Sequence, residues 1–227
     1  MTSPSTSTTP LLVCRSCQQW TQGAHVCSSC GKIQQLPRDT DYFAFFGMPR
    51  KLRMDAGELE KKFHQFSWKL HPDNFVNAGP EERELALQLS SQLNDAYRAL
   101  REPISRVEYL LAIEGMRKEG QQKQQAPPEL LEEVFDLNES LDELRETQAG
   151  EGDTTALRAH LAAAQRKFGG KLAEVDAQLD AVFGQWDAAL ENGADGAALK
   201  KIMSGMNELL NRRSYIRNLV ASVQKEL

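Results

Sequence analysis

Four cysteines fall in two pairs of identical spacing, Cys14-x-x-Cys17 and Cys27-x-x-Cys30, and the rest of the 227-residue chain has none. Each Cys-x-x-Cys lets one tight turn present two thiolates to the same ion, so the two pairs together suit a tetrahedral four-sulfur site. A disulfide framework would spread its cysteines through the chain, whereas these are confined to one short segment. Zinc is the leading ligand for such a shell. Iron in a rubredoxin-like site shares the geometry, and the pattern admits both. With every vertex taken by sulfur, no position remains for water or substrate, which makes the site structural rather than catalytic. His25, between the pairs, is surplus to that shell and is expected in a turn or in solvent.

The second cluster is His71-Pro72-Asp73, preceded by Lys61, Lys62, Gln65 and Lys69. Proline and aspartate are ordinary turn residues, and three lysines usually make only a solvated face. Together they form something more specific: a positive strip leading to an exposed turn, able to steer an acidic partner into contact.

These residues need elements to hold them. Leu59, Phe63, Phe66 and Leu70 recur at helical spacing and predict a helix over 56–70, which Pro72 ends by disfavouring helical geometry at His71. Leu85, Leu89, Leu93, Ala96 and Leu100 predict a second helix, begun at Pro80 with acidic residues in its first turn. The pair should form an antiparallel hairpin with His-Pro-Asp at its tip. Three further helical stretches, 129–147, 154–190 and 196–227, predict a three-helix bundle with turns at Gly150, Gly152, Asn192 and Gly193. Gly169-Gly170 inside the middle stretch suggests a bend or a close helix crossing. Strand signals are nearly absent. The fold class is therefore mostly α, organised as a tail over 1–10, a four-cysteine knuckle over 11–38, a hairpin domain over 41–120, a polar, proline-stopped linker over 121–128 and a bundle over 129–227.

Composition removes several functions. With 27 basic and 32 acidic residues the net charge is -5, which argues against broad binding to nucleic acid or anionic membranes. No apolar run approaches the roughly 20 residues that span a bilayer. The first ten residues lack both a signal core and arginine, so the cytoplasm is expected, or the mitochondrial matrix in a eukaryote, although no transit peptide is evident. No Gly-rich phosphate loop, nucleophile elbow or paired metal-binding histidines occur, so an enzyme is not expected. His64 and His160 have no catalytic neighbours and are expected on helix surfaces.

The hairpin resembles the J-domain family. The match rests on Asp41-Tyr42-Phe43 with Phe46-Gly47, His71-Pro72-Asp73, and Leu93-Asn94-Asp95-Ala96-Tyr97. His71 to Phe75 together with Arg106-Val107-Glu108-Tyr109-Leu110-Leu111 is similar to the HscB branch in particular, over about 41–227. The four-cysteine extension resembles that of mitochondrial-type HscB relatives. The resemblance implies a co-chaperone in iron–sulfur cluster assembly. His71, Pro72 and Asp73, with Lys61, Lys62 and Lys69, would stimulate the ATPase of a DnaK/HscA-type chaperone. Leu131, Phe135, Asp136, Glu139 and Tyr215 would hold an IscU-type scaffold. Two positions depart from the pattern: Asn74, where many J domains have lysine, and Glu132, where an apolar residue is common. On periodicity alone, the apolar residues of 129–144 are too widely spread for one stripe, so the helix is either buried on two sides or partly exposed. Two other functions compete: a J-domain co-chaperone with a different client, and a zinc-knuckle nucleic-acid binder. For the latter only Arg15, Trp20 and Lys32 accompany the cysteines.

Overall fold

Asp55 starts the first long helix: its carboxylate accepts the backbone N–H groups of Gly57 and Glu58, which the helix cannot pair internally. This computed structural model describes residues 11–22, 25–37, 39–117 and 128–227. The tail expected over 1–10 and all of the expected linker except Pro128 lie outside the described residues.

The described residues form two compact units, one of those up to Arg117 together with Trp186–Leu199, the other of those from Pro128 to Gln185 together with Lys200–Leu227. In the first unit a small antiparallel ribbon, β1 (Leu11–Val13) and β2 (Trp20–Gln22), precedes α1 (Tyr42–Phe45), α2 (Ala56–Lys69), α3 (Pro80–Arg101) and α4 (Pro103–Ile113). The ribbon is the small exception in a mostly α fold, in keeping with the near absence of strand signals; three-residue strands are too short to leave a periodicity. A 3-10 turn over Pro72–Phe75 links α2 to α3. Pro80 and Pro103 each open a helix, where the missing proline N–H costs nothing.

The hairpin packs Leu59 of α2 and Leu70 at its C-cap against Ala86, Leu89, Leu93, Ala96 and Leu100 of α3, all buried. Stacked Phe63 and Tyr97 rings lie 4.2 Å apart across the pair. Leu85, expected inside, is only half-buried because Ala86 takes the inner position. On α4, Val107, Leu110 and Leu111 are buried, and Tyr109 stacks on Tyr42 while its hydroxyl accepts the Tyr42 N–H. Arg106 is buried too, and its guanidinium donates to the carbonyls of Leu52, Leu100 and Arg101. The same unit includes Trp186–Leu199, two helix ends and the turn that joins them. There the buried Asp187 carboxylate accepts the N–H of Leu52 at 2.7 Å and of Arg53 at 2.9 Å, and the Trp186 indole donates to the Arg50 carbonyl.

The second unit is built from α5 (Leu131–Ala149) and most of α6 (Thr155–Glu191) and α7 (Gly196–Glu226). Glu133 pairs with Lys167 and Lys171, so α5 and α6 run antiparallel once Ser140 and His160 are also matched. Glu129 meets Arg212 and Arg145 meets Glu226, which sets α5 parallel to α7. Val134, Leu137, Leu141 and Leu144 supply the inner row of α5, facing rows such as Leu161, Phe168, Val175 and Leu179 on α6 and Met206, Leu210 and Ile216 on α7. Each such side chain, fully buried, contributes about 1.5–3 kcal/mol. Gly169 and Gly170 lie in an uninterrupted helix, and a β-carbon at either would meet nothing within 4 Å. The expected close crossing is therefore absent at these positions, since neither glycine is needed to let a neighbour approach. Among the described residues, no helix is long and apolar enough to cross a membrane.

Candidate metal centre and docking surfaces

The two Cys-x-x-Cys turns share one backbone design. Cys14 N–H donates to the Gln19 carbonyl and Gln18 N–H to the Cys14 carbonyl; in the second turn Cys27 N–H donates to Lys32 and Gly31 N–H to Cys27. Both turns place the residue four after the first cysteine at positive φ, 60° at Gln18 and 72° at Gly31. Glycine suits that geometry, while Gln18 adopts it at some cost. The result brings all four sulfurs within 4.8 Å of one another, with Cys14–Cys30 at 3.6 Å and Cys17–Cys27 at 3.7 Å. Ligands about 2.3 Å from a central zinc stand about 3.8 Å apart at the corners of a tetrahedron. Cys14, Cys17, Cys27 and Cys30 therefore fit a metal ion, which would supply the cross-link that this segment's few buried side chains do not.

Electrostatics point the same way. The Cys17 backbone N–H is the main influence bringing the Cys14 thiol down to about 6. The Gln19 N–H also favours a thiolate at Cys17, but burial and the three neighbouring sulfurs outweigh it and push Cys17 up to about 12. Cys14 and Cys27 are thus drawn toward the thiolate while Cys17 and Cys30 are held from it, and a cation at their centre would favour all four thiolates together.

His25 is not in solvent: only 4% exposed, it lies 4.2 Å from the Phe45 ring and 4.6 Å from the Phe66 ring. Burial, with the charge of Lys69 as a smaller cause, takes its pKa down to about 4. His25 does stand in a bend, but the solvent expectation fails because the knuckle packs against the helices of its unit and the imidazole fills the space beside the two rings. A second link is the 2.8 Å ion pair of Lys32 with Glu82 at the start of α3. Lys32 is thus engaged, while Trp20 is exposed on β2.

At the hairpin tip His71 has extended backbone, as a residue before proline should, and its Nδ1 accepts the Asp73 N–H at 3.3 Å. Phe75 is buried and anchors the turn, leaving His71 and Asp73 exposed and Pro72 half-buried. Asn74, where the resemblance anticipates lysine, donates its side-chain amide to the Trp68 carbonyl at 2.7 Å and so pairs one of the last carbonyls of α2. The lysine strip is less uniform than a helical wheel suggests. Lys61 and Lys69 are exposed, but Lys62 is folded back and donates to the Phe46 carbonyl at 3.0 Å, with Glu58 3.6 Å away. His64 and His160 lie on helix surfaces as expected.

On α5 the alternatives left by periodicity separate. Leu130, Val134, Leu137, Leu141 and Leu144 point inward, whereas Leu131 is 53% and Phe135 72% exposed. Asp136 and Glu139 are exposed beside them. Tyr215 is half-buried on α7, and burial raises its phenol pKa. It lies one turn beyond Arg212, whose partner Glu129 precedes Leu131 by two residues, so Tyr215 stands near the start of α5. Sequence reasoning missed Trp68, which is 78% exposed on α2 beside the tip. A wheel would have found it, since it falls opposite Leu59.

No protein-family model matches the chain. The chain is 34% identical over 151 residues to a co-chaperone protein HscB homolog of Vibrio vulnificus, spanning 66% of this chain and 85% of that one. A Vibrio parahaemolyticus HscB homolog is 38% identical over 104 residues, 46% of this chain and 61% of its own. Among solved structures, the chaperone HscB from Vibrio cholerae matches with a TM-score of 0.51 and 25% identity over 82% of this chain and 96% of its own. The human co-chaperone HscB matches with a TM-score of 0.61 over 94% of this chain and 97% of its own; at 22% identity it supports the fold alone.

Proposed function

Because this chain belongs to the HscB family of co-chaperones, which it matches at 34% identity across 85% of a relative's length, we propose that it delivers an IscU-type iron–sulfur scaffold to a DnaK/HscA-type chaperone and stimulates that partner's ATPase. The family consists of co-chaperones and not enzymes. The observation that carries the reading is the exposed His71-Pro72-Asp73 turn, anchored by buried Phe75 and led up to by Lys61 and Lys69. Such a tip has little packing of its own and is shaped for a partner. Lys62 adds positive charge from a more restricted position. Leu131, Phe135 and Tyr215, edged by Asp136 and Glu139, form the scaffold-binding face, an apolar centre with an acidic rim. Zinc occupies the four-cysteine site, and the protein works in the cytoplasm.

His71→Gln separates this function from folding. Stimulation of the chaperone ATPase should fall to the unstimulated rate, while unfolding free energy changes by less than about 0.5 kcal/mol, as for surface substitutions. Normal stimulation by this variant would remove the assignment. For the other face, a Phe135→Ala/Tyr215→Ala variant should lose about 2 kcal/mol or more of scaffold affinity per anchor in calorimetric titration. Unchanged affinity in a folded double variant points to a different client or a different face, which a pull-down then identifies.

A further inference from the structure

Trp68 has no evident role in the fold. On α2 it lies about 180° from buried Leu59 and about 20° from Lys61, in the middle of the solvent face, and its ring makes no aromatic contact among the described residues. A single exposed apolar side chain is ordinary. The surroundings of this one are not. From Lys61 to His71 the chain has Lys61, Lys62 and Lys69 and no carboxylate. Lys61 and Lys69, the exposed members, make no ion pair among the described residues, so their charge is available. The main chain of Trp68 is held by Asn74 from within the turn that carries His71 and Asp73. Val76, just after that turn, is exposed as well. A large indole set among unpaired cations and fixed to an exposed tip has the make-up of an interface anchor, and tryptophan is enriched among such anchors.

We propose that Trp68 is the apolar anchor of the chaperone-docking surface: its indole is buried against the ATPase domain of the DnaK-type partner, at a site where Lys61 and Lys69 meet carboxylates. The inference rests on the co-chaperone reading and extends it, dividing labour along one face. The lysines accelerate encounter through long-range charge, the indole slows dissociation by burying area, and His71-Pro72-Asp73 triggers hydrolysis once docked.

Titration of the partner's ATPase with the full-length chain tests this. Trp68→Gln keeps a good helix former at an exposed position, so melting should not change. It should raise the half-saturating concentration at least about ten-fold, the scale of a central anchor, with the maximal rate retained at saturation. Trp68→Phe should fall between the two. His71→Gln, run alongside, should abolish the maximal rate. If Trp68→Gln titrates as the unaltered chain does while His71→Gln is inactive, the Trp68 proposal fails and the co-chaperone reading stands. If His71→Gln stimulates fully, both fail. Sedimentation covers the remaining occupant: an unaltered chain that is dimeric, made monomeric by Trp68→Gln with stimulation unchanged, assigns the indole to a second copy and overturns the proposal.

Discussion

The cysteine knuckle and the three-helix unit hold their shapes by opposite means. In the knuckle Cys14, Cys27 and Ile33 are the buried hydrophobic side chains among the described residues, while Val13 and Trp20, paired across the ribbon, face outward. Four sulfurs placed to hold a cation stand where a core would be. In α5, α6 and α7 continuous rows of leucine, valine, phenylalanine and methionine run the length of long helices, and the ion pairs decorate their edges. A few dozen residues bury too little area to offset chain entropy, whereas helices of 31 and 37 residues do so without help. The knuckle gains one further support, His25 lodged beside Phe45 and Phe66.

That contrast can be broken in order of size. Metal removal should have the largest effect, because the apparent binding free energy of a structural zinc site is about 10–16 kcal/mol and is folding free energy for its segment. Chelation, or Cys27→Ser, should abolish stoichiometric metal and amide-exchange protection over 11–37. Helicity should persist, but Phe45 and Phe66 lose the cover of His25, so the first unit should also melt earlier. Metal-free protein with an intact, protected knuckle would overturn the comparison. Next comes Phe168→Ala, which empties part of the α6 core and should cost about 3–5 kcal/mol in denaturant unfolding. The loss should be the same with and without chelator, since the second unit holds no cysteine. The smallest effect sharpens the contrast from the other side. Gly169→Ala places a methyl where nothing lies within 4 Å and should stabilise α6 by about 0.5–1 kcal/mol, the helix-propensity difference. A loss of stability there would mean that the glycine serves a crossing after all.

The chemistry-bearing residues were legible where their positions follow from local rules. Cys-x-x-Cys spacing dictates convergent thiolates, a proline after His71 dictates an end to α2, and helical spacing gives α2, α3 and the bundle helices to within a few residues. Lys62 shows where local rules stop: a wheel puts it on the strip, but its ammonium reaches carbonyls 16 and 15 residues earlier in the chain. The α5 periodicity likewise left open whether Leu131 and Phe135 face core or solvent, because the answer depends on which sides α6 and α7 cover.

By itself, then, the sequence determined a mostly helical protein with a four-thiolate knuckle and a His-Pro-Asp turn, each encoded within a few consecutive residues. Tertiary structure alone decided that His25 is buried between aromatic rings, that Leu131 and Phe135 face solvent, and that Asp187 receives the N–H groups of Leu52 and Arg53 from 135 and 134 residues away. The physical reason is range. Periodicity and turn chemistry report how a residue sits on its own element, while burial and buried hydrogen bonds are set by whichever distant element arrives to cover that face.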